Sequence, residues 1–240
     1  MENQMKKPLA DLHNASANSA ALSRKVLVAG ASGLVGGMIL SRLLEDSTVT
    51  EVHALVRREL TIRHSKLRTH QVDFKAIPSL PPLDEVYLAL GTTISQAGSR
   101  AAFRVVDFDA NLAVARAALA AGARRIGLVS AYGANAQSML FYARVKGELE
   151  DALTALSAET LVIVRPSLLL GDRDSLHQAT RRAEKIGICA SAILGPILPR
   201  NYRPVEARKV ANTLLGMVPV TQGKLVLQPE NIQNFAARPF

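Results

Sequence analysis

Residues 141–150 read FYARVKGELE, which sets Tyr142 four positions ahead of Lys146. On a helix that spacing brings both side chains to one face. A phenol beside an ammonium can give or take a proton while the cation steadies its anion. Each unit by which a tyrosine falls below its ordinary value of about 10 corresponds to roughly 1.4 kcal/mol. Ser130 ends an apolar run twelve positions before Tyr142, where its hydroxyl could orient a substrate carbonyl. The plain alternative is an amphipathic helix. Tyr142, Val145, Leu149, Leu153 and Leu156 make an apolar stripe, and Lys146 could pair with Glu150 four residues on. Lys146 falls inside that stripe, where a charge needs a partner or a ligand.

A second constellation lies near the start. KVLVAG is a short apolar run, followed by GASGLVG with glycines at 30, 33 and 36, and then by LVGGMILSRLLE at helical period. Strand, glycine turn and helix in this order form a dinucleotide fingerprint. Gly30 serves the tight turn, Gly33 close approach to a pyrophosphate, and Gly36 close helix packing. Ser32, Leu34 and Val35 would add hydroxyl or backbone contacts at the helix N-terminus. The next strand ends in Val56-Arg57-Arg58 rather than in the acid that would hold a ribose diol, and Glu59 lies past its end. Two guanidiniums there suit a 2′-phosphate, so NADP(H) is favoured over NAD(H). Asp73 would bond an adenine amino group or form a turn, with Phe74 beside it. Leu90, Gly91 and Thr92 sit at the carboxyl end of a strand, the ligand edge of such sheets.

These residues must be positioned by alternating strands and helices. Strands are expected over 25–30, 51–56, 70–74, 85–90, 124–130, 160–164 and within KLVLQ. Helices are expected after Gly33, over 99–122 with a stop at Gly122, around Tyr142, near 174–187 and over VEARKVANTLLGMV. The pattern predicts an α/β fold, a Rossmann-like doubly wound parallel sheet with helices on both faces and a small C-terminal substrate-side region, mainly 171–240. Residues 24–240 are expected to form one domain, with 1–23 a disordered tail. That tail lacks the apolar segment of a secretory signal, and no later run is long enough to span a membrane.

Bulk composition narrows the function. The net charge is +9, but the basic residues are scattered and aromatics make up only 4% with no Trp, so nucleic acid is not expected as partner. A single cysteine, Cys189, excludes an internal disulfide and points to a reducing cytoplasm. The five dispersed histidines show no metal-ligand spacing, and no metal is expected.

Taken in order, GASGLVG, VRR, VDF, LGTT with QAGS, FRVVDFD, LVSAYGAN, FYARVKGELE and VRPSLLLGDR span about residues 25–175. This run resembles the atypical short-chain dehydrogenase/reductase superfamily, and most of all its Tat-interacting-protein-like branch. The resemblance implies NADP(H) binding and a Ser130/Tyr142/Lys146 triad acting on a small carbonyl or alcohol. It implies that Pro166 and Leu168 line the nicotinamide, aligns Asn111 with a helix asparagine of a proton relay, and is compatible with a homodimer. Binding without turnover, as in a cofactor-sensing regulator, and nucleotide-sugar epimerisation are the alternatives. The short C-terminal part departs from the epimerases, which carry a larger substrate domain.

Overall fold

The computed structural model of the chain describes residues 23–170 and 203–236. The expected tail, and the expected helix near 174–187, lie outside the described residues.

Seven parallel strands form the central sheet. They are β1 (Arg24–Ala29), β2 (Val49–Val56), β3 (Leu67–Gln71), β4 (Glu85–Leu88), β5 (Arg125–Val129), β6 (Thr160–Val164) and β9 (Gly223–Leu227), in the order β3-β2-β1-β4-β5-β6-β9. A two-stranded piece, β7 (Leu169–Leu170) with β8 (Val205–Glu206), lies outside this sheet. The order reverses direction beside β1, so β1 and β4 splay their connections to opposite faces and open a crevice at their carboxyl ends.

Both faces are covered, as the unbroken apolar runs require. Val26 and Val28 of β1 point to a layer made by α1 (Leu34–Glu45) and α6 (Ala207–Met217). Leu27 and Ala29 point to the opposite layer, built on α4 (Asn111–Ala120) and α5 (Phe141–Thr154). Short helices α2 (Ile94–Ala97), α3 (Arg100–Arg104) and α7 (Pro229–Asn234) complete the described elements. Thr93 and Ser99 cap α2 and α3 by accepting from the N–H groups of Gln96 and Ala102.

Two expectations shift. The third strand runs over 67–71 rather than 70–74, because Leu67–Gln71 pairs in register with Val52–Val56 while Asp73 turns back in a bridge with Ala76. This is the sheet edge, where one exposed face tolerates LRTHQ and the apolar look of HQVDF misleads. The expected helix over 99–122 is broken. It runs as α3, a π-helical turn at Val105–Ala110, then α4, and stops at Gly122 with φ +97.

At the amino edge, opposite the crevice, Glu85 is fully buried. Its Oε2 accepts from Arg24 Nη1 at 2.9 Å and from the Tyr87 hydroxyl at 3.1 Å. Arg24→Met leaves that carboxylate with Tyr87 and a distant Arg125 at 3.8 Å. Urea unfolding should show a loss of about 3 kcal/mol, most of it recovered by adding Glu85→Gln.

Candidate functional site

The glycine turn builds the floor of the crevice. Gly30 has φ +90, and a Cβ there would lie 2.4 Å from the Ala89 carbonyl oxygen. Only glycine fits between the end of β1 and the chain leaving β4. A Cβ on Gly36 would lie 2.1 Å from the Gly30 carbonyl oxygen, so α1 rests directly on the turn. The Gly33 N–H donates to the Gly30 carbonyl at 2.8 Å, and Gly33 precedes α1 with no side-chain cap and no acidic residue in the first turn. The first N–H groups of α1 are thus left for an anion, with the helix dipole behind them.

A cavity of about 750 Å³ runs from this turn to the start of α5, a size in the range of cofactor sites. At the turn its wall includes Gly30, Ser32, Gly33, Leu34 and Val35; Gly36 is not in the wall and acts through packing. Arg57, Asp73 and Phe74 line the far end, whereas Arg58 does not. Glu59, the nearest acid, faces Arg63 at 3.2 Å. Asp73 Oδ1 accepts from the Lys75 N–H at 3.0 Å, so the aspartate forms a turn and also borders the cavity. Leu90, Gly91 and Thr92 form the wall after β4. After β6 the wall is made by Leu169; Pro166 and Leu168 are not part of it. Pro166 instead accepts the Tyr132 N–H at 2.8 Å through its carbonyl.

Ser130, Tyr142 and Lys146 all open onto this one cavity. Helix α5 can approach because Gly147 has no side chain: a Cβ there would meet the Ala136 nitrogen at 2.2 Å. Tyr142 is 41% exposed, with its ring against Phe103 at a centroid distance of 5.6 Å. Lys146 is buried, and its ammonium does not pair with Glu150. It sits 2.8 Å from Asp107 Oδ1, in the π-helical turn. Burial acts to lower the Lys146 pKa, but the charge of Asp107 first, and then those of Tyr142, when it is a phenolate, and of Glu150, outweigh it and raise the value above the ordinary lysine range.

Glu150 has a different role. It accepts the Ser130 hydroxyl and is held by Arg165, whose Nε donates at 3.0 Å. Arg165 is thereby a structural partner one layer behind the serine. Asn111 donates its amide to the carbonyls of Leu90, Val106 and Asp107 at 3.2, 3.3 and 3.1 Å. It takes up carbonyls freed where the helix widens, and ties that helix to the chain after β4. Asp107 and Gly147 were missed from sequence. The signal for Asp107 was a carboxylate four residues after the core residue Phe103, on the same helical face.

The parallel sheet, the glycine cradle and the cavity define a Rossmann-like NAD(P)-binding domain. A family model described as NAD(P)H-binding matches residues 30–188, and the chain belongs to this family. It is 33% identical over 201 residues to "Protein FMP52, mitochondrial" of Lodderomyces elongisporus, covering 78% of this chain and 83% of that protein. It is 40% identical over 157 residues to the protein of the same name from Eremothecium gossypii, covering 63% and 69%. In fold it is similar to ADP-L-glycero-D-manno-heptose-6-epimerase of Helicobacter pylori, with TM-score 0.65, 12% identity, and 90% and 82% of the two chains covered. A short chain dehydrogenase family protein from Francisella tularensis gives TM-score 0.63 at 14% identity, covering 85% of this chain and 96% of that one. The mitochondrial naming of the sequence relatives overturns the cytoplasmic expectation. A single cysteine excludes an internal disulfide in any compartment, so it does not single out the cytosol. Among the described residues no helix is long and apolar enough to cross a membrane, and no group of His, Cys, Asp or Glu is arranged to hold a metal.

Proposed function

We propose that the protein is an NADP(H)-dependent oxidoreductase that reduces a small carbonyl compound, or oxidises the corresponding alcohol, with Ser130, Tyr142 and Lys146 at its centre. The observation that carries this reading is the charged, buried Lys146 one helical turn from Tyr142, in the same cavity as the glycine cradle. Binding a dinucleotide requires the cradle but no proton donor. The bound cofactor supplies a hydride to the carbonyl carbon. Tyr142 supplies the proton to the oxygen, and the Lys146 ammonium stabilises the phenolate that remains. Ser130 orients the substrate oxygen. At the other end Arg57, which lines the cavity, would hold the 2′-phosphate, while Glu59 pairs with Arg63.

The test is a titration with NADPH and NADH, followed by a panel of carbonyl compounds read by nicotinamide absorbance. Arg57→Ala with Arg58→Ala should weaken NADPH about 10- to 100-fold, the worth of charge-assisted bonds, and NADH by less than about threefold. Arg57→Ala alone should give most of this loss, since Arg58 is outside the cavity wall. Equal losses for both cofactors would remove the preference.

One observation favours a second reading. The Ser130 hydroxyl already donates to Glu150 and so presents lone pairs rather than a hydrogen to the cavity. A cofactor-sensing protein with little turnover would tolerate that arrangement, and tight NADPH binding without oxidation across the panel would support it. Epimerisation has the weaker case, resting on fold likeness alone; failure to bind nucleotide sugars would exclude it.

A further inference from the structure

We propose that Asp107 is a positioning residue of this site, which keeps the Lys146 side chain charged and fixed against the loop that follows β4. The link of this role to turnover rests on the reductase reading above; the role itself does not.

Asp107 is 1% exposed and uses both carboxylate oxygens. Oδ1 lies 2.8 Å from Lys146 Nζ, and Oδ2 accepts the Thr92 N–H at 2.9 Å. A single side chain therefore joins the middle of α5 to the cavity wall after β4. A lone ammonium at the depth of Lys146 tends to shed its proton, because the charged form has lost its water. The other ionisable groups around it raise its pKa less than Asp107 does. Glu150, on α5, is engaged by Ser130 and by Arg165 from the chain after β6. Tyr142, also on α5, carries no charge while it is a proton donor. Asp109 borders the cavity from the π-helical turn but is exposed, where water weakens its field. Among the described residues Asp107 is the carboxylate in direct contact with the ammonium.

The turn that carries Asp107 is built for this placement. Widening the helix over Val105–Ala110 leaves carbonyls that Asn111 takes up, while the Asp107 side chain is directed across to α5. Buried opposite charges need such geometry, since attraction offsets desolvation only at close and well-ordered contact.

The experiment compares the full-length protein with Asp107→Asn and Asp107→Glu. Trace acetylation with acetic anhydride, read by mass spectrometry across a pH series, reports the neutral fraction of each lysine. In Asp107→Asn the Lys146 peptide should acetylate at least about tenfold faster near pH 8, a fall of one unit or more in its titration. The other lysines should be unchanged, and Asp107→Glu should return Lys146 toward the wild-type curve. Under the reductase reading the alkaline limb of turnover in Asp107→Asn moves to lower pH, since a lowered ammonium is lost earlier as pH rises. Identical Lys146 curves in wild type and Asp107→Asn would overturn the proposal. If Asp107→Asn unfolds, all lysines react faster together; Asp107→Ser, which removes the charge with a smaller side chain, then decides, a selective rise of at least about tenfold at Lys146 supporting the proposal and none refuting it. A wild-type protein that turns over no carbonyl defeats the reductase reading and leaves the acetylation result standing.

Discussion

Tyr142→Phe is expected to bind NADPH within about threefold of wild type and to lose turnover by about 10²- to 10⁴-fold, the usual worth of a positioned proton donor. The substitution is chemically narrow. Among the described residues the hydroxyl makes no hydrogen bond, and the ring can keep its place on Phe103 at 5.6 Å. Neither core packing nor the glycine cradle is touched. Cofactor affinity by fluorescence titration, set beside single-turnover nicotinamide absorbance, separates binding from chemistry. Turnover at the wild-type rate would assign the proton to another group, with Ser130 the first to examine.

Gly36→Ala is expected to have the opposite signature. The added Cβ would meet the Gly30 carbonyl oxygen at 2.1 Å and its carbon at 2.6 Å, and both atoms are backbone with no rotamer to move into. Gly30 is itself closely packed, since a Cβ there would lie 2.4 Å from the Ala89 carbonyl oxygen. Helix α1 must therefore lift from the turn, taking its first N–H groups out of line with an anion in the cradle. A stability loss of about 1–3 kcal/mol should accompany a fall of at least about tenfold in affinity for NADPH and NADH alike. That parallel loss distinguishes a damaged cradle from a damaged phosphate contact at Arg57. Gly33→Ala should destabilise the free protein less, since its Cβ would stand 3.1 Å from the same oxygen and its φ of −87 suits any residue. Thermal melts and titrations of the two variants check the ranking.

The parts of this molecule legible in the sequence are those set by short-range rules. The β1–turn–α1 unit needs glycine at 30 and 36 for backbone reasons confined to a few residues, and the buried strands announce themselves as apolar runs. The position of β3 depends instead on its register with β2, to which a polar edge strand offers few apolar cues. Lys146 was recognisable as a charge within an apolar stripe, but its partner lies 39 positions earlier on another element. Helical spacing drew attention to Glu150, which the fold assigns to Ser130 and Arg165. A local pattern can show that a charge needs a partner, while tertiary packing chooses which one it gets.

The π-helical turn also makes the chain's length between Arg104 and Asn111 a functional quantity. Each residue of a regular helix advances its side chain by about 100°. Removing one residue from Val105–Ala110 would let α3 and α4 merge into one continuous α-helix, with little change of phase beyond the cut, but would shift Asp107 around the axis inside the turn and close the widened stretch whose carbonyls Asn111 takes up. Asp107 and Asn111 could no longer both keep their partners, although neither had been altered. Among relatives, gaps in this short segment should therefore be rarer than substitutions, and a length change there would mark a protein whose lysine is held in some other way.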